Sequence, residues 1–320
     1  MGRYATGKDQ NGEGMMIDFE TVTDKLAFPE GPIACADGSV LVVEIARKTL
    51  TRVRPDGAME IVAELGGGPN GAAIGPDGAA YVVNNGGAFE FPEGWKEVGK
   101  LGLPKQYEGG FIQRVDMATG KVTTLYDHCD GKPLNAPNDI VFDRQGGMWF
   151  TCFGFSDGEN RRLGGIYYAK ADGSQITRWR SEQISPNGIG LSADEKRLYW
   201  VDSMLQRLWS LDILSPGVVA ADVGHESGRI HLNLPGMQWF DSLALEESGQ
   251  VAAATLFNGG ITVIDPESGA YEHVPVSDPI TTNICFGGAD MRDAWITGSA
   301  TGSLYKCRWP RPGLRLNFQQ

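Results

Sequence analysis

Histidine is scarce in this chain of 320 residues: His128, His225, His231 and His273 are the four, and no two share a close metal-ligand spacing such as His-Glu-x-x-His. A helical zinc-hydrolase motif is thereby excluded. Cysteine is nearly as rare. Cys35, Cys129, Cys152, Cys285 and Cys307 are odd in number and contain no Cys-x-x-Cys pair, which argues against a disulfide framework or a thiolate zinc site and leaves core thiols as the expectation. No apolar run approaches eighteen residues and nothing resembles a signal peptide, so no membrane partner and a cytoplasmic location are expected. Positive charge is short as well, with 28 Lys and Arg against 40 Asp and Glu and a formal net charge of -12. Without a basic cluster to offset that field, nucleic acid is not an expected partner. Apolar residues make up 41% of the chain but keep no period of 3.6 beyond a turn or two, which leaves little room for helices.

What is present is a cadence. Glu30, Asn70, Asn138, Asn187 and Asp241 each precede a short apolar run, and Gly38, Gly78, Gly146, Glu195 and Gly249 follow eight residues later. A weaker sixth copy, ITTNICFGGADMRDAWITG, contains Asn283. Anchors roughly 40 to 70 residues apart match the repeat of four-stranded propeller blades. The runs are rich in Val, Ile, Tyr and Trp and are bounded by Asp-Gly or Ser-Gly pairs, which is hairpin chemistry. The 44 Gly and 17 Pro suit the many turns this requires. The expectation is an all-β, six-bladed β-propeller forming one domain over residues 15–320, preceded by a polar, Gly-rich and flexible lead over 1–14, with a metal in its central channel.

In a propeller the first strand of each blade lines the channel, so the anchors of different blades meet at one end. Glu30, Asn138, Asn187 and Asp241 then offer carboxylate and amide oxygens, a hard-ligand set suited to Ca²⁺, Mg²⁺ or Mn²⁺. Pro-Asn-Gly is also an ordinary turn tripeptide, and any single Asn here is explained by that role. The two carboxylates in the same slot are not needed by a turn, and they carry the set.

Departures from the repeat mark candidate substrate contacts. Residues 85–110 interrupt the second blade with Phe89, Phe91, Trp95 and Tyr107, and shorter extensions fall at 127–136 and 154–163. Long loops in a compact fold are commonly lids, so Phe89 and Trp95 are expected to offer aromatic surface to the substrate, with an exposed or oligomer-forming loop as the plain alternative. Trp239, just before Asp241, is assigned to the pocket and Phe240 to the core. Gly154-Phe155-Ser156-Asp157-Gly158 matches the nucleophile-elbow string but lies in a polar hairpin rather than a strand-to-helix turn. Asp202 is a candidate for holding an amide ligand.

Phe-Pro-Glu-Gly-Pro at Phe28, the Pro-Asn-Gly and Pro-Asn-Asp repeats, SPNGIGLSADEKRLYWVDS and the late TTNICFGG resemble the family of senescence marker protein (regucalcin), gluconolactonase and luciferin-regenerating enzyme. Diisopropyl fluorophosphatase is a more distant relative. The resemblance spans roughly residues 17 to 308 and implies a six-bladed propeller with one catalytic divalent cation, Ca²⁺ first, with Mg²⁺, Mn²⁺, Zn²⁺ or Fe²⁺ as alternatives. It places Glu30, Asn187 and Asp241 at ligand positions and Asn138 where members bind metal or substrate. Asn70 and Asn283 match no ligand. The implied activity is metal-assisted hydrolysis of a lactone or ester, with Asp241 as general base or, in a variant, as nucleophile. Ala136 stands where sugar-lactonase members often carry an Arg for substrate hydroxyls, which points to a less hydroxylated or aromatic substrate. Two other classes remain open: a non-catalytic calcium- or ligand-binding propeller, and a metal-free condensing enzyme like strictosidine synthase.

Overall fold

The computed structural model describes residues 17–91, 104, 106–220 and 228–319. Strands and turns account for all the regular structure among them, and there is no helix. Six antiparallel sheets follow one another around a ring. Their inner strands are Pro29–Ala34, Pro69–Ile74, Pro137–Phe142, Pro186–Leu191, Phe240–Leu245 and Thr281–Gly287, and each touches the inner strand of the next blade, the last touching the first. The expected six-bladed propeller is the observed one.

Burial follows position in the blade. The inner strand of the first blade is buried at every residue, whereas its outer strand, Met59–Glu64, is largely exposed. Between each pair of neighbouring blades lies one apolar cluster, such as Tyr81, Phe142, Phe150 and Tyr167 between the second and third, or Trp149, Ile189, Leu198 and Trp200 between the third and fourth. Sheets stacked face to face in this way bury both faces of the inner strands, so apolar residues fill them beyond the anchors, as at 140–142 and 243–245.

The ring closes by exchange between the chain ends. Glu20–Thr23 is the outer strand of the sixth blade and pairs antiparallel with Ser303–Arg308. Further on, residues 309–319 cross the end of the channel remote from the anchors. Leu314 N–H donates to Leu245 O at 2.8 Å, Asn317 Nδ2 to Phe142 O at 2.9 Å and Gln319 Nε2 to Phe286 O at 2.7 Å, so one segment is bonded to three blades.

The turn positions of the cadence all adopt left-handed backbone, with φ of 81° at Gly38, 76° at Gly78, 82° at Gly146 and 91° at Gly249. Glu195 takes the same conformation at 56° without the help of glycine. Each inner strand also carries a one-residue register shift at or beside its anchor, for example between Pro137 and Ile140 and between Pro186 and Ile189. A bulge leaves two residues opposite one and re-aims the side chains there. Its repetition in six blades is what turns the anchor residues toward the channel.

Candidate active site at the mouth of the channel

Glu30, Asn138, Asn187 and Asp241 are all buried at the anchor end. Asn187 Nδ2 donates to Asp241 Oδ1 at 2.6 Å and to Ser203 Oγ at 3.0 Å. Both amide hydrogens are thereby used, and the Asn187 carbonyl oxygen Oδ1 is left buried with no partner among the described residues. Glu30 Oε2 accepts from its neighbour Gly31 N–H at 2.8 Å and from Asn283 Nδ2 at 2.9 Å. No side-chain hydrogen bond is made by Asn70 or Asn138 among the described residues. Asp202 does not hold Asn187: it accepts from Ser185 N–H, Ser185 Oγ–H and Leu205 N–H, and the support of Asn187 falls to Ser203 next door.

The sequence reading missed Asp139. It follows Asn138 inside the bulge of the third blade, is buried, and accepts from Ile140 N–H at 2.9 Å and Ile189 N–H at 3.2 Å. The slots one residue after the anchor in the first, second and fourth blades are Gly31, Gly71 and Gly188. A Cβ on Gly71 would lie 2.8 Å from Asp139 Cα, and one on Gly188 would lie 2.5 Å from Leu243 N, so neighbouring inner strands approach too closely there for a side chain. A carboxylate standing in a position that is glycine in three other blades was the available signal.

Three carboxyl groups are thus buried together without a basic partner among the described residues. Desolvation pushes Asp139 up to about 7, against the pull of its backbone N–H donors. Asp241 is also pushed to about 7, first by burial and then by the charge on Asp139, with the Asn187 hydrogen bond acting in opposition. Burial, followed by the charges of Asp241 and Asp139, holds Glu30 well above the usual carboxylate range despite the bonds from Asn283 and Gly31. Buried charges are ordinarily paired or bound to metal.

Among the described residues no group of three His, Cys, Asp or Glu side chains forms a metal cluster. The donor chemistry nonetheless fits a hard cation: Glu30 and Asp241 supply two buried carboxylates, and Asn187, bonded to Asp241, supplies an amide oxygen with no partner among the described residues. An orphaned buried acceptor costs about 1–3 kcal/mol, and a cation would satisfy it.

Around this site the mouth has two unlike sides. Over the second and third blades, Tyr107 stacks on Phe155 with ring centroids 4.1 Å apart, and its hydroxyl donates to Asn85 O at 2.8 Å and accepts from Ala136 N–H at 2.7 Å. Ala136 is buried in that cluster with a left-handed φ of 56°. Of the substrate candidates, Phe89 is exposed, Phe91 meets Phe28 edge to face at 5.2 Å, and Trp95 lies outside the described residues. Trp239 is half-buried against Phe257, with centroids 5.4 Å apart, while Phe240 is fully buried in the core. Gly154 to Gly158 includes the short strand Phe155–Ser156, which pairs with Arg161–Arg162 as a hairpin, not the strand-to-helix turn that a serine nucleophile needs. Beneath the carboxylates the channel continues as a cavity of about 80 Å³ with mainly apolar walls, closed below by Leu314 and Leu316.

A family model described as SMP-30/Gluconolactonase/LRE-like region matches residues 28–300. A gluconolactonase from Zymomonas mobilis is 24% identical over 296 residues, covering 84% of this chain and 76% of the relative. A regucalcin from Xenopus laevis is 28% identical over 239 residues, covering 68% of this chain and 74% of the relative. Among solved structures, a calcium-binding protein, regucalcin, from Agrobacterium tumefaciens has a TM-score of 0.74 at 18% identity and covers 95% of this chain and 98% of its own. At that identity the structural likeness speaks for the fold alone.

Proposed function

The chain belongs to the SMP-30/Gluconolactonase/LRE-like family, and from that premise we propose that it is a lactonase that uses a divalent cation, Ca²⁺ in the first instance, held by Glu30, Asn187 and Asp241 with Asn138 beside them. The observation that carries this is the Asn187 Oδ1, buried with no partner among the described residues, on an amide bonded to the buried carboxylate of Asp241. When bound, the cation supplies Lewis-acid polarisation of the lactone carbonyl and positive charge for the developing oxyanion.

The residues of the chain do the rest. Asn187 and Ser203 fix the orientation of Asp241 through Oδ1, and Oδ2 carries no hydrogen bond among the described residues. Oδ2 is therefore the atom that takes a proton from the attacking water as its oxygen bonds to the lactone carbonyl carbon. Collapse of the tetrahedral intermediate breaks the ring C–O bond, and the same carboxyl returns the proton to the leaving alkoxide, giving a hydroxy acid. Burial of Ala136 under Tyr107 leaves no arginine at that position for sugar hydroxyls, which favours a substrate with fewer of them.

The test is hydrolysis of aldonolactones and unsubstituted or aromatic lactones by chelator-stripped protein before and after each divalent metal is restored, with Asp241→Asn in parallel. Metal-dependent turnover lost in the variant is expected. Tight Ca²⁺ binding without turnover on any lactone would instead favour a calcium-binding propeller without catalysis.

A further inference from the structure

The side of the mouth over the fourth and fifth blades is apolar, uncharged and rigid, yet open. Met204 is 40% exposed, Met237 67% and Phe257 44%, and Trp239 lies half-buried against Phe257. These side chains come from the segments SMLQ at 203–206, LPGMQWF at 234–240 and LFNGG at 256–260, none of which contains a charged residue in a chain that is 21% charged. The three segments are tied together. Gln206 Oε1 accepts from Gln238 N–H at 2.8 Å, Leu234 N–H donates to Gln206 O at 2.9 Å, and Asn258 Nδ2 donates to Gln238 Oε1 at 3.1 Å. Phe257 is held in left-handed backbone at a φ of 68°. A bulky residue kept in that conformation and left open to solvent is a strained feature of the kind found at ligand clamps.

This surface is continuous with the site. Met204 follows Ser203, the acceptor for Asn187, and Trp239 precedes Asp241 by two residues. Leu256 N–H donates to Trp239 O at 2.7 Å, which extends the ladder begun by Phe240 and Thr255. Trp239 and Asp241 therefore flank the buried core residue Phe240 at the start of the same inner strand.

We propose that Met204, Met237, Trp239 and Phe257 form a hydrocarbon subsite, which receives the alkyl or aryl substituent of a lactone whose carbonyl is presented to Asp241. The proposal rests on the lactonase reading for its carbonyl end. Methionine adapts to chains of varying shape, and an edge-to-face aromatic pair offers a flat apolar wall. A substituent lying there points away from the Tyr107 cluster, whose hydroxyl is already engaged on both sides.

The experiment measures kcat/KM of the metal-loaded protein on δ-valerolactone and on δ-lactones with 5-alkyl chains of one, three and five carbons. In parallel, calorimetry follows binding of 3-pentylcyclohexanone, a ketone of matching shape that cannot be hydrolysed. Specificity is expected to rise about two- to fourfold per methylene, and Met237→Ser and Phe257→Ser should flatten the rise and weaken ketone binding about tenfold. Leu214→Ser, at an exposed leucine on the third strand of the fourth blade, should change neither. Hydrolysis with no chain-length dependence, or equal flattening by Leu214→Ser, overturns the subsite while sparing the lactonase. Ketone binding that the two variants lose, without hydrolysis of any lactone, supports the subsite and overturns the lactonase. Absence of both overturns the two together.

Discussion

The two ends of the central channel are built from the same six strands and treat buried polar groups in opposite ways. At the mouth, Glu30, Asp139 and Asp241 are buried with no basic partner, and Asn187 Oδ1 has no partner among the described residues. At the other end Glu246 is a buried carboxylate that is fully engaged: Trp309 Nε1 donates to Oε1 at 2.7 Å and Arg311 pairs with Oε2. Stability favours satisfied polar groups, so Glu246 follows the folding rule and the carboxylates of the mouth break it. Three buried carboxylates gathered beside an amide oxygen that has no partner among the described residues are the kind of local violation that functional sites carry.

The comparison predicts that substitutions at the two ends separate activity from stability. Asp241→Asn should lower kcat by about 10²- to 10⁴-fold, the usual range for loss of a general base, while the thermal midpoint of the metal-free protein holds steady or rises because a buried charge has been removed. Glu246→Ala should do the reverse, costing about 3 kcal/mol in denaturant unfolding because Arg311 and Trp309 lose their partner, with kcat of the folded fraction unchanged. A stability loss in the first or a kcat loss in the second would erase the distinction between the ends.

Cation and proton should act on the mouth in opposite senses. Ca²⁺ at about 100 times its Kd should stabilise the folded protein by roughly 2.7 kcal/mol, and Asn187→Ala should reduce that gain. In metal-free protein, burial pushes Asp139 and Asp241 to about 7 when folded, against an ordinary 3.8, so the folded state holds more protons than the unfolded state between those values. Stability from these groups is therefore fully present below about pH 4 and is lost as pH rises toward 7. Chemical unfolding across pH 4 to 8, with chelator and with Ca²⁺, checks this: the downward slope should shrink when the cation is present.

Much of this was legible in the sequence because the repeat is written in residues with few alternatives. Left-handed turn positions select glycine, and five of the cadence positions from Gly38 to Gly249 have that backbone, including the one filled by Glu195. Two carboxylates in an anchor slot that turns leave free identified Glu30 and Asp241. Asp139 escapes a pattern of period two, which assigns only one residue where a bulge turns two successive ones into the site; its signal lay in comparing the slot with Gly31, Gly71 and Gly188. The closed end was hidden for another reason. Residues 309–319 form almost no regular structure, and their bonds to Leu245, Phe142 and Phe286 depend on strands far away in the chain.

The smallest expected effect tests whether the closed end is independent of the mouth. Asn317 Nδ2 donates to Phe142 O and, at 2.6 Å, to Glu195 Oε1, so it ties the terminal segment to the third blade's inner strand and to the left-handed turn of the fourth. Asn317→Ala removes two partly buried hydrogen bonds and should cost about 1–2 kcal/mol. The third blade also supplies Asn138 and Asp139, at the opposite end of the strand that Phe142 terminates. If the strand is a rigid spacer, kcat/KM and Ca²⁺ affinity will stay at their original values while the unfolding midpoint falls. If either shifts with it, the segment below the channel also sets the position of the bulge above, and the two ends are one mechanical unit.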